Sequence, residues 1–112
     1  MRVATSGAPR EEIEGLLAAL GDGTRRKIFF SLMEREQSVK DLATPLGITL
    51  TGLGQHVRIL ESARLVSTRK VGRERICTVD PEGLERLEAF ARLQKTLWRS
   101  RFDALRRTVE GD

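Results

Sequence analysis

Cysteine, histidine and tyrosine are almost missing from this chain: its 112 residues include one cysteine, Cys77, one histidine, His56, and no tyrosine. A lone Cys77 cannot close a disulfide within the chain, and with His56 it falls short of the four ligands of a structural zinc site. The same shortage leaves no Ser/His/Asp or Cys/His set beyond one His and one Cys, and the glycines form no phosphate-loop pattern. Catalysis is therefore not expected, and no cofactor is implied. Aromatic residues make up 4%, too few for a surface that stacks the bases of a single strand. Long apolar runs are lacking as well: none approaches the roughly 18 residues of a membrane helix, and the opening MRVATSGAPREE has no signal-peptide core. The expected location is the cytoplasm, with no membrane partner.

What is present is charge, and arginine above all. Charged residues make up 32% of the chain and hydrophobic ones 39%, a globular proportion for one small domain. The net charge of +4 is unevenly placed. Up to Ala63 there are eight basic and eight acidic residues; from Arg64 to Asp112 there are twelve and eight. Sixteen of the twenty cations are Arg, whose planar fork suits phosphates and guanine edges.

Period and punctuation divide the chain into a flexible leader over 1–9 and a single domain over 10–112. Ile13, Leu16, Leu17 and Leu20 recur at helical spacing from about Arg10 to Leu20. Gly21-Asp22-Gly23 breaks that run, and Asp22 is placed to cap a second helix with Ile28, Phe29, Leu32 and Met33 on one side, ending near Arg35. Ser38 and Asp41 have capping-box spacing for a short third helix carrying Val39, Leu42, Ala43 and Leu46, which Gly47 closes. Thr49 then caps a fourth helix to about Ser62 with Leu50, Leu53, Val57 and Leu60 as its buried stripe. After Leu65 the period shortens, and LVSTRK and RERICTV read as a β-hairpin turning near Val71-Gly72. Asp80-Pro81 restarts a helix that meets no breaker after Gly83 until about Val109. Mainly α with a small β-hairpin in this order, an α+β arrangement, is the pattern of a winged helix-turn-helix.

The fourth helix carries the functional signal. At 100° per residue its apolar stripe puts Thr51, Gln55, Arg58 and Ser62 on the opposite side. Gln55 can read a base edge, and Thr51 and Arg58 can meet phosphates. Gly52 and Gly54 weaken the helix but permit close approach to a duplex. A merely solvated face looks similar in isolation; what weighs against that is the hairpin that follows. Arg58, Arg64, Arg69, Lys70, Arg73 and Arg75 face only Glu61 and Glu74 over this stretch, a concentration suited to straddling phosphates, with Arg73 beside the turn at Gly72. A winged-helix module that binds another protein and no DNA is the alternative, and an acidic outer face would have favoured it.

From about Leu17 to Val109 the chain resembles the ArsR-type winged-helix repressor family. DGTRRKI, GQHVRILESARLV, GRERICTVDP and LWRSRFDALRR carry the likeness. The resemblance implies a homodimeric, cytoplasmic transcriptional repressor that binds a double-stranded, pseudo-palindromic operator through the helix at about 49–62 and a basic wing at about 66–79. Thr49 matches the Ser/Thr that opens the family's reading helix, Gln55-His56 its polar-His pair, Arg58 a common Lys/Arg, and Arg73 and Arg75 its basic wing residues; with Thr51 and Lys70 these form the candidate DNA-binding set. Gly52 and Gly54 depart from the family's common Ala and Ser, and Thr51 from its frequent Pro. His56 is either a phosphate contact or a packing residue, and Cys77, sharing a strand face with Val79, either a small buried residue or a redox-sensitive thiol.

Two usual metal positions of the family lack their ligands here. SVKDLATPLG on the third helix has no Cys, and Pro81–Asp112 has no His, so a branch that does not sense metals is expected, its effector unknown. The last helix carries a broad apolar stripe of Leu87, Phe90, Ala91, Trp98, Phe102 and Leu105, which with Ile13, Leu16, Leu17 and Leu20 of the first helix forms the expected dimer interface. Use of that stripe within one protomer's core is the competing reading.

Overall fold

The computed structural model describes residues 9–110. The expected leader thus lies outside the described residues except for Pro9. Five helices and three short strands follow in order: α1 (Arg10–Leu20), α2 (Gly23–Glu34), β1 (Gln37–Ser38), α3 (Val39–Leu46), α4 (Leu50–Ser62), β2 (Val66–Val71), β3 (Glu74–Val79) and α5 (Pro81–Glu110). This is the winged-helix architecture, largely helical with a small antiparallel sheet.

Local chemistry sets the helix boundaries. The Asp22 carboxylate accepts the Arg25 backbone N–H at 3.0 Å, and that bond holds the carboxyl below the usual carboxylate range. Ser38 and Thr49 accept from Asp41 N–H at 3.1 Å and Gly52 N–H at 3.0 Å, satisfying orphan donors at the starts of α3 and α4. Asp80 does the same for α5 through Glu82 N–H, also at 3.0 Å. At the end of α3, Gly47 takes a left-handed φ of +68° and returns its N–H to Ala43 O at 3.0 Å, a conformation that costs glycine little.

The hairpin is one strand richer than its sequence pattern suggests. β3 is central, with β2 on one side and β1 on the other, all antiparallel. Gln37 pairs with Cys77 and Ser38 with Ile76. Two residues are too few to display an alternating period. The Gln37 side-chain amide reaches Ser31 Oγ at 2.8 Å, fastening this strand to α2.

One core unites the elements. Ile13 and Leu16 of α1, Ile28, Phe29 and Leu32 of α2, Leu42 of α3, Leu53, Val57 and Leu60 of α4, and Leu65, Val66 and Cys77 of the wing base are all buried. At ~1.5–3 kcal/mol for each large apolar side chain withdrawn from water, this cluster outweighs the exposed ion pairs, each worth roughly 0–1 kcal/mol. Four expectations are corrected by it. Ile13 and Leu16, expected on a dimer face, are 3% and 2% exposed within the single chain. Leu50, expected in the buried stripe of α4, is 53% exposed, and Met33, expected on the same side of α2 as the buried Ile28, Phe29 and Leu32, is 57% exposed. Met33 lies in the last turn of α2 and Leu50 in the first turn of α4, beyond the reach of the covering helices.

The start of α5 sits directly on the turn that leaves α4. There Arg64 adopts a left-handed φ of +61° and its carbonyl accepts the Gly83 N–H at 2.8 Å. A Cβ on Gly83 would lie 2.5 Å from that carbonyl oxygen and 2.9 Å from the one of Ala63. Around this seat, Arg86 pairs with both Glu12 and Glu82, and Arg64 with Glu82 at 2.9 Å, so one chain of charges joins α1, α5 and the turn. Further along, Leu87 and Phe90 still pack on the core, but every residue from Lys95 to Glu110 is exposed. The projecting half explains a radius of gyration of 18.9 Å, against about 13 Å for a compact chain of this length.

Gly83→Ala is expected to destabilise the protein by about 1–3 kcal/mol, the cost of forcing backbone aside in a packed contact, measured as a lowered urea midpoint. An unchanged midpoint would show that α5 is not seated on the turn.

Candidate nucleic-acid interface

α3, the turn at Gly47-Ile48-Thr49 and α4 form a helix-turn-helix held by one face only. Leu53, Val57 and Leu60 of α4 are at most 3% exposed. Helical geometry then carries Thr51, Gln55, Arg58 and Ser62 outward, and all four are exposed. Thr49 is exposed too, although its hydroxyl oxygen is engaged as the cap.

The wing rises beside this helix. Val66 pairs with Val79 at its base and Val71 with Glu74 at its end, leaving Gly72 and Arg73 as the two-residue tip. Gly72 has a φ of +64°, which the tight reversal requires. Arg73 stands exposed beside it.

Between the wing and the helix-turn-helix runs a groove of about 800 Å³, lined by Ser38, Val39 and Lys40 of the α3 start, by Leu50, Gly54, Val57, Arg58 and Glu61 of α4, and by Arg73, Glu74 and Arg75 of the wing. Its charged lining is four cations against two carboxylates. Lys40 is the member missed by sequence reasoning. The sequence of the third helix announces only its apolar stripe, and nothing local distinguishes this lysine from any solvated one.

The cations divide into tied and free. Arg69 donates to both carboxylate oxygens of Glu36 at 3.1 Å, bracing β2 against the loop after α2. Arg75 donates to the Thr68 hydroxyl at 2.9 Å, and Thr68 in turn donates to Glu61 at 2.7 Å, so that α4 and the wing share one hydrogen-bonded chain. Arg58, Lys70 and Arg73 make no ion pair among the described residues. These three and Lys40 present uncommitted positive charge, and Lys40, Arg58 and Arg73 line the groove itself.

Two residues sit differently from the rest of the candidate set. His56 is turned away from the outward row toward the start of α2, its Nδ1 3.3 Å from Arg25 Nη1 and 4.0 Å from Asp22 Oδ2. Of its two open readings, the packed one describes this placement. Cys77 is fully buried, and burial pushes its thiol up to about 11, with nearby Glu61 adding to the shift. A neutral, inaccessible thiol is a packing group.

Several known proteins are similar to this chain in sequence or fold. The family model described as bacterial regulatory protein, arsR family, matches residues 22–68. The HTH-type transcriptional regulator Rv2034 of Mycobacterium tuberculosis is 41% identical over 69 residues, a match spanning 62% of this chain and 64% of that relative, just under two thirds of its length. A crystal structure of the ArsR family transcriptional regulator RHA00566 superposes with a TM-score of 0.77 at 32% identity, covering 84% of this chain and 97% of that one. For the fold alone, the solution structure of the homodimeric winged helix-turn-helix DNA-binding domain Mb0332 from Mycobacterium bovis matches with a TM-score of 0.63 at 24% identity, over 82% of this chain and 91% of that one.

Gly54 lines the groove, and a Cβ there would meet nothing within 4 Å. Gly54→Ala is therefore expected to raise the urea midpoint, by about 1 kcal/mol of helix propensity, while weakening binding to duplex DNA in an anisotropy titration. Equal or tighter binding would show that no backbone approach occurs at this position.

Proposed function

The chain belongs to the ArsR family of bacterial regulatory proteins, and we propose that it is a homodimeric, sequence-specific double-stranded DNA-binding regulator of transcription that represses by occupying a pseudo-palindromic operator. The observation that carries this reading is the exposed polar row of α4, Thr51, Gln55, Arg58 and Ser62, beside a groove whose lining includes Lys40, Arg58 and Arg73, none of them in an ion pair among the described residues.

In this reading α4 enters the major groove. The Gln55 amide has the donor and acceptor pair that matches adenine N6 and N7, while Thr51 and Arg58 reach flanking phosphates. Thr49, at the cap, presents its hydroxyl proton to the same backbone. Arg73 at the wing tip, with Lys70 behind it, lies over the neighbouring phosphates or the minor groove. Lys40 completes the cationic lining from α3. Arg75 holds the wing to α4 and acts on DNA chiefly through that brace. The outer row of α4 carries no carboxylate, which disfavours a module that binds basic protein surfaces instead.

The distal half of α5 supports the dimer. Trp98, Phe102 and Leu105 are 49%, 60% and 58% exposed, a row of large apolar side chains of the kind that marks an interaction surface. Trp98 and Phe102 lie 5.8 Å apart centre to centre, and the Arg101 guanidinium covers the indole at 4.9 Å. Leu17 and Ala91 are exposed, while Leu20, Leu87 and Phe90 are half-buried at the edge of the core. A two-fold axis through this face repeats α4 at about one helical turn of DNA, roughly 34 Å, and so demands two inverted half-sites. The Mycobacterium bovis fold neighbour is itself described as homodimeric. Regulation independent of metal fits a chain with one Cys, buried, and one His, engaged by Arg25. A cytoplasmic location follows from the same reading, and no helix among the described residues is long and apolar enough to cross a membrane.

Duplexes selected from a random pool test the assignment of roles. Arg73→Ala is expected to weaken selected and scrambled duplexes alike and to lower the magnitude of the salt slope by about one. Gln55→Ala should instead cost roughly 1–3 kcal/mol on the selected duplex alone; equal losses on both would remove Gln55 as a base reader. Sedimentation of Trp98→Ala should show the dimer loosened toward monomer, whereas an undiminished dimer at low concentration would place Trp98 outside the interface.

A further inference from the structure

We propose that Arg25 is a positioning residue for the DNA-reading helix: through His56 it ties the middle of α4 to the C-terminal carbonyls of α1. The proposal rests on the DNA-binding reading of α4.

The end of α1 creates the need. Its last carbonyls lack intrahelical donors, its final turn has no basic residue, and Gly21 N–H meets only Ala18 O, at 3.1 Å. α2 supplies the missing donors. Arg25 Nε donates to Ala19 O at 2.8 Å and its Nη2 to Ala18 O at 3.2 Å, while Arg26 donates to Leu20 O at 2.7 Å. One edge of the Arg25 guanidinium is thus fixed on α1, and the Asp22 carboxylate fixes its backbone N–H. The remaining terminal nitrogen, Nη1, lies 3.3 Å from His56 Nδ1.

That last contact dictates the state of the imidazole. A guanidinium only donates hydrogen bonds, so Nδ1 must be the acceptor and the ring proton must sit on Nε2. A proton on Nδ1 would oppose the Arg25 N–H and face Asp22 Oδ2, 4.0 Å away.

The bond adds something that apolar packing does not. Burial of Leu53, Val57 and Leu60 holds α4 against the body, but the hydrophobic effect is non-directional and sets the roll of a helix only loosely. A directed bond from a preorganised fork fixes it. His56 is the neighbour of Gln55 and lies two residues before Arg58, so the roll of α4 decides where both reach. The His56 side chain is 27% exposed, outside the fully buried cluster, and its removal leaves that core filled. Arg25 also makes the position of α4 answer to α1, whose exposed Leu17 lies on the proposed dimer side.

Because His56 is the only histidine, long-range nitrogen–proton NMR of the imidazole yields a single ring to read. The wild-type protein, above the ordinary imidazole titration range, is expected to carry its proton on Nε2, and Arg25→Met to lose that preference. Against a duplex that the wild-type protein selects from a random pool, Arg25→Met and His56→Phe should each bind roughly tenfold more weakly, the equivalent of one hydrogen bond to a charged group. Scrambled duplex, the sedimentation profile and the urea midpoint of His56→Phe should stay close to wild type. His56→Asn, whose side-chain oxygen stands near the place of Nδ1, should retain most of the selectivity. A proton found on Nδ1 in the wild-type protein overturns the proposal. So does undiminished selectivity in His56→Phe, which decides the matter even if Arg25→Met fails to fold. If the wild-type protein enriches no duplex, the DNA-binding reading itself falls and the proposal with it; enrichment by wild type with equal selectivity in the variants defeats the proposal alone.

Discussion

Everything in this protein that can meet a ligand depends on α4 being held by one side. Leu53, Val57 and Leu60 are withdrawn from water so completely that the opposite row needs no partner inside the chain. α1, α2, α3 and the wing base converge on that buried stripe, and each contributes apolar side chains to the one core. The polar row can consequently consist of short or flexible hydrogen-bonding groups. Had α4 been buried all round, Gln55 and Arg58 would have required internal partners; had its stripe been weaker, the helix would have lacked a defined outward face.

The charges follow the same division of labour. Some arginines are structural fasteners: Arg69 on Glu36, Arg75 through Thr68 to Glu61, Arg64 on Glu82, and Arg86 on Glu12. Each joins two elements, and the wing is held in a set relation to α4 by such bonds. Other cations are left uncommitted around the groove. An overall charge of +4 says little by itself about binding, because it counts both kinds. The separation between them creates a local positive field where a phosphate backbone would run.

Most of the secondary structure was legible because its signals are local. Caps at Asp22, Ser38 and Thr49, the left-handed stop at Gly47 and the Asp80-Pro81 restart all depend on residues within a few positions of one another. The outward row of α4 follows from helical period alone. What was illegible depends on partners distant in sequence. β1 exists because β3 offers it an edge far along the chain, and no two-residue segment announces that. Ile13 and Leu16 share a period with Leu17 and Leu20, but period identifies a face without saying whether the same protomer covers it. Met33 and Leu50 lie on the correct stripes and run past their cover. His56 looked outward by adjacency to Gln55, yet one residue on a helix is a turn of 100°, enough to bring it against Arg25. Lys40 entered the site only because the wing folds back over the start of α3.

The projecting half of α5 links molecular order to abundance. A helix of this length standing in water without tertiary cover is marginal, since isolated helices much shorter than a dozen or so residues hardly form and somewhat longer ones fray. From Lys95 onward none of the described residues covers the apolar side. With a second copy as the cover, the helicity of that half and the pairing of two chains become a single equilibrium governed by mass action. Dilute protein would then have frayed ends and single α4 helices, and concentrated protein would have stiff, paired ones. Under the proposed pairing such a chain would respond to its own amount, its grip on two half-sites rising with roughly the square of the unpaired protein present.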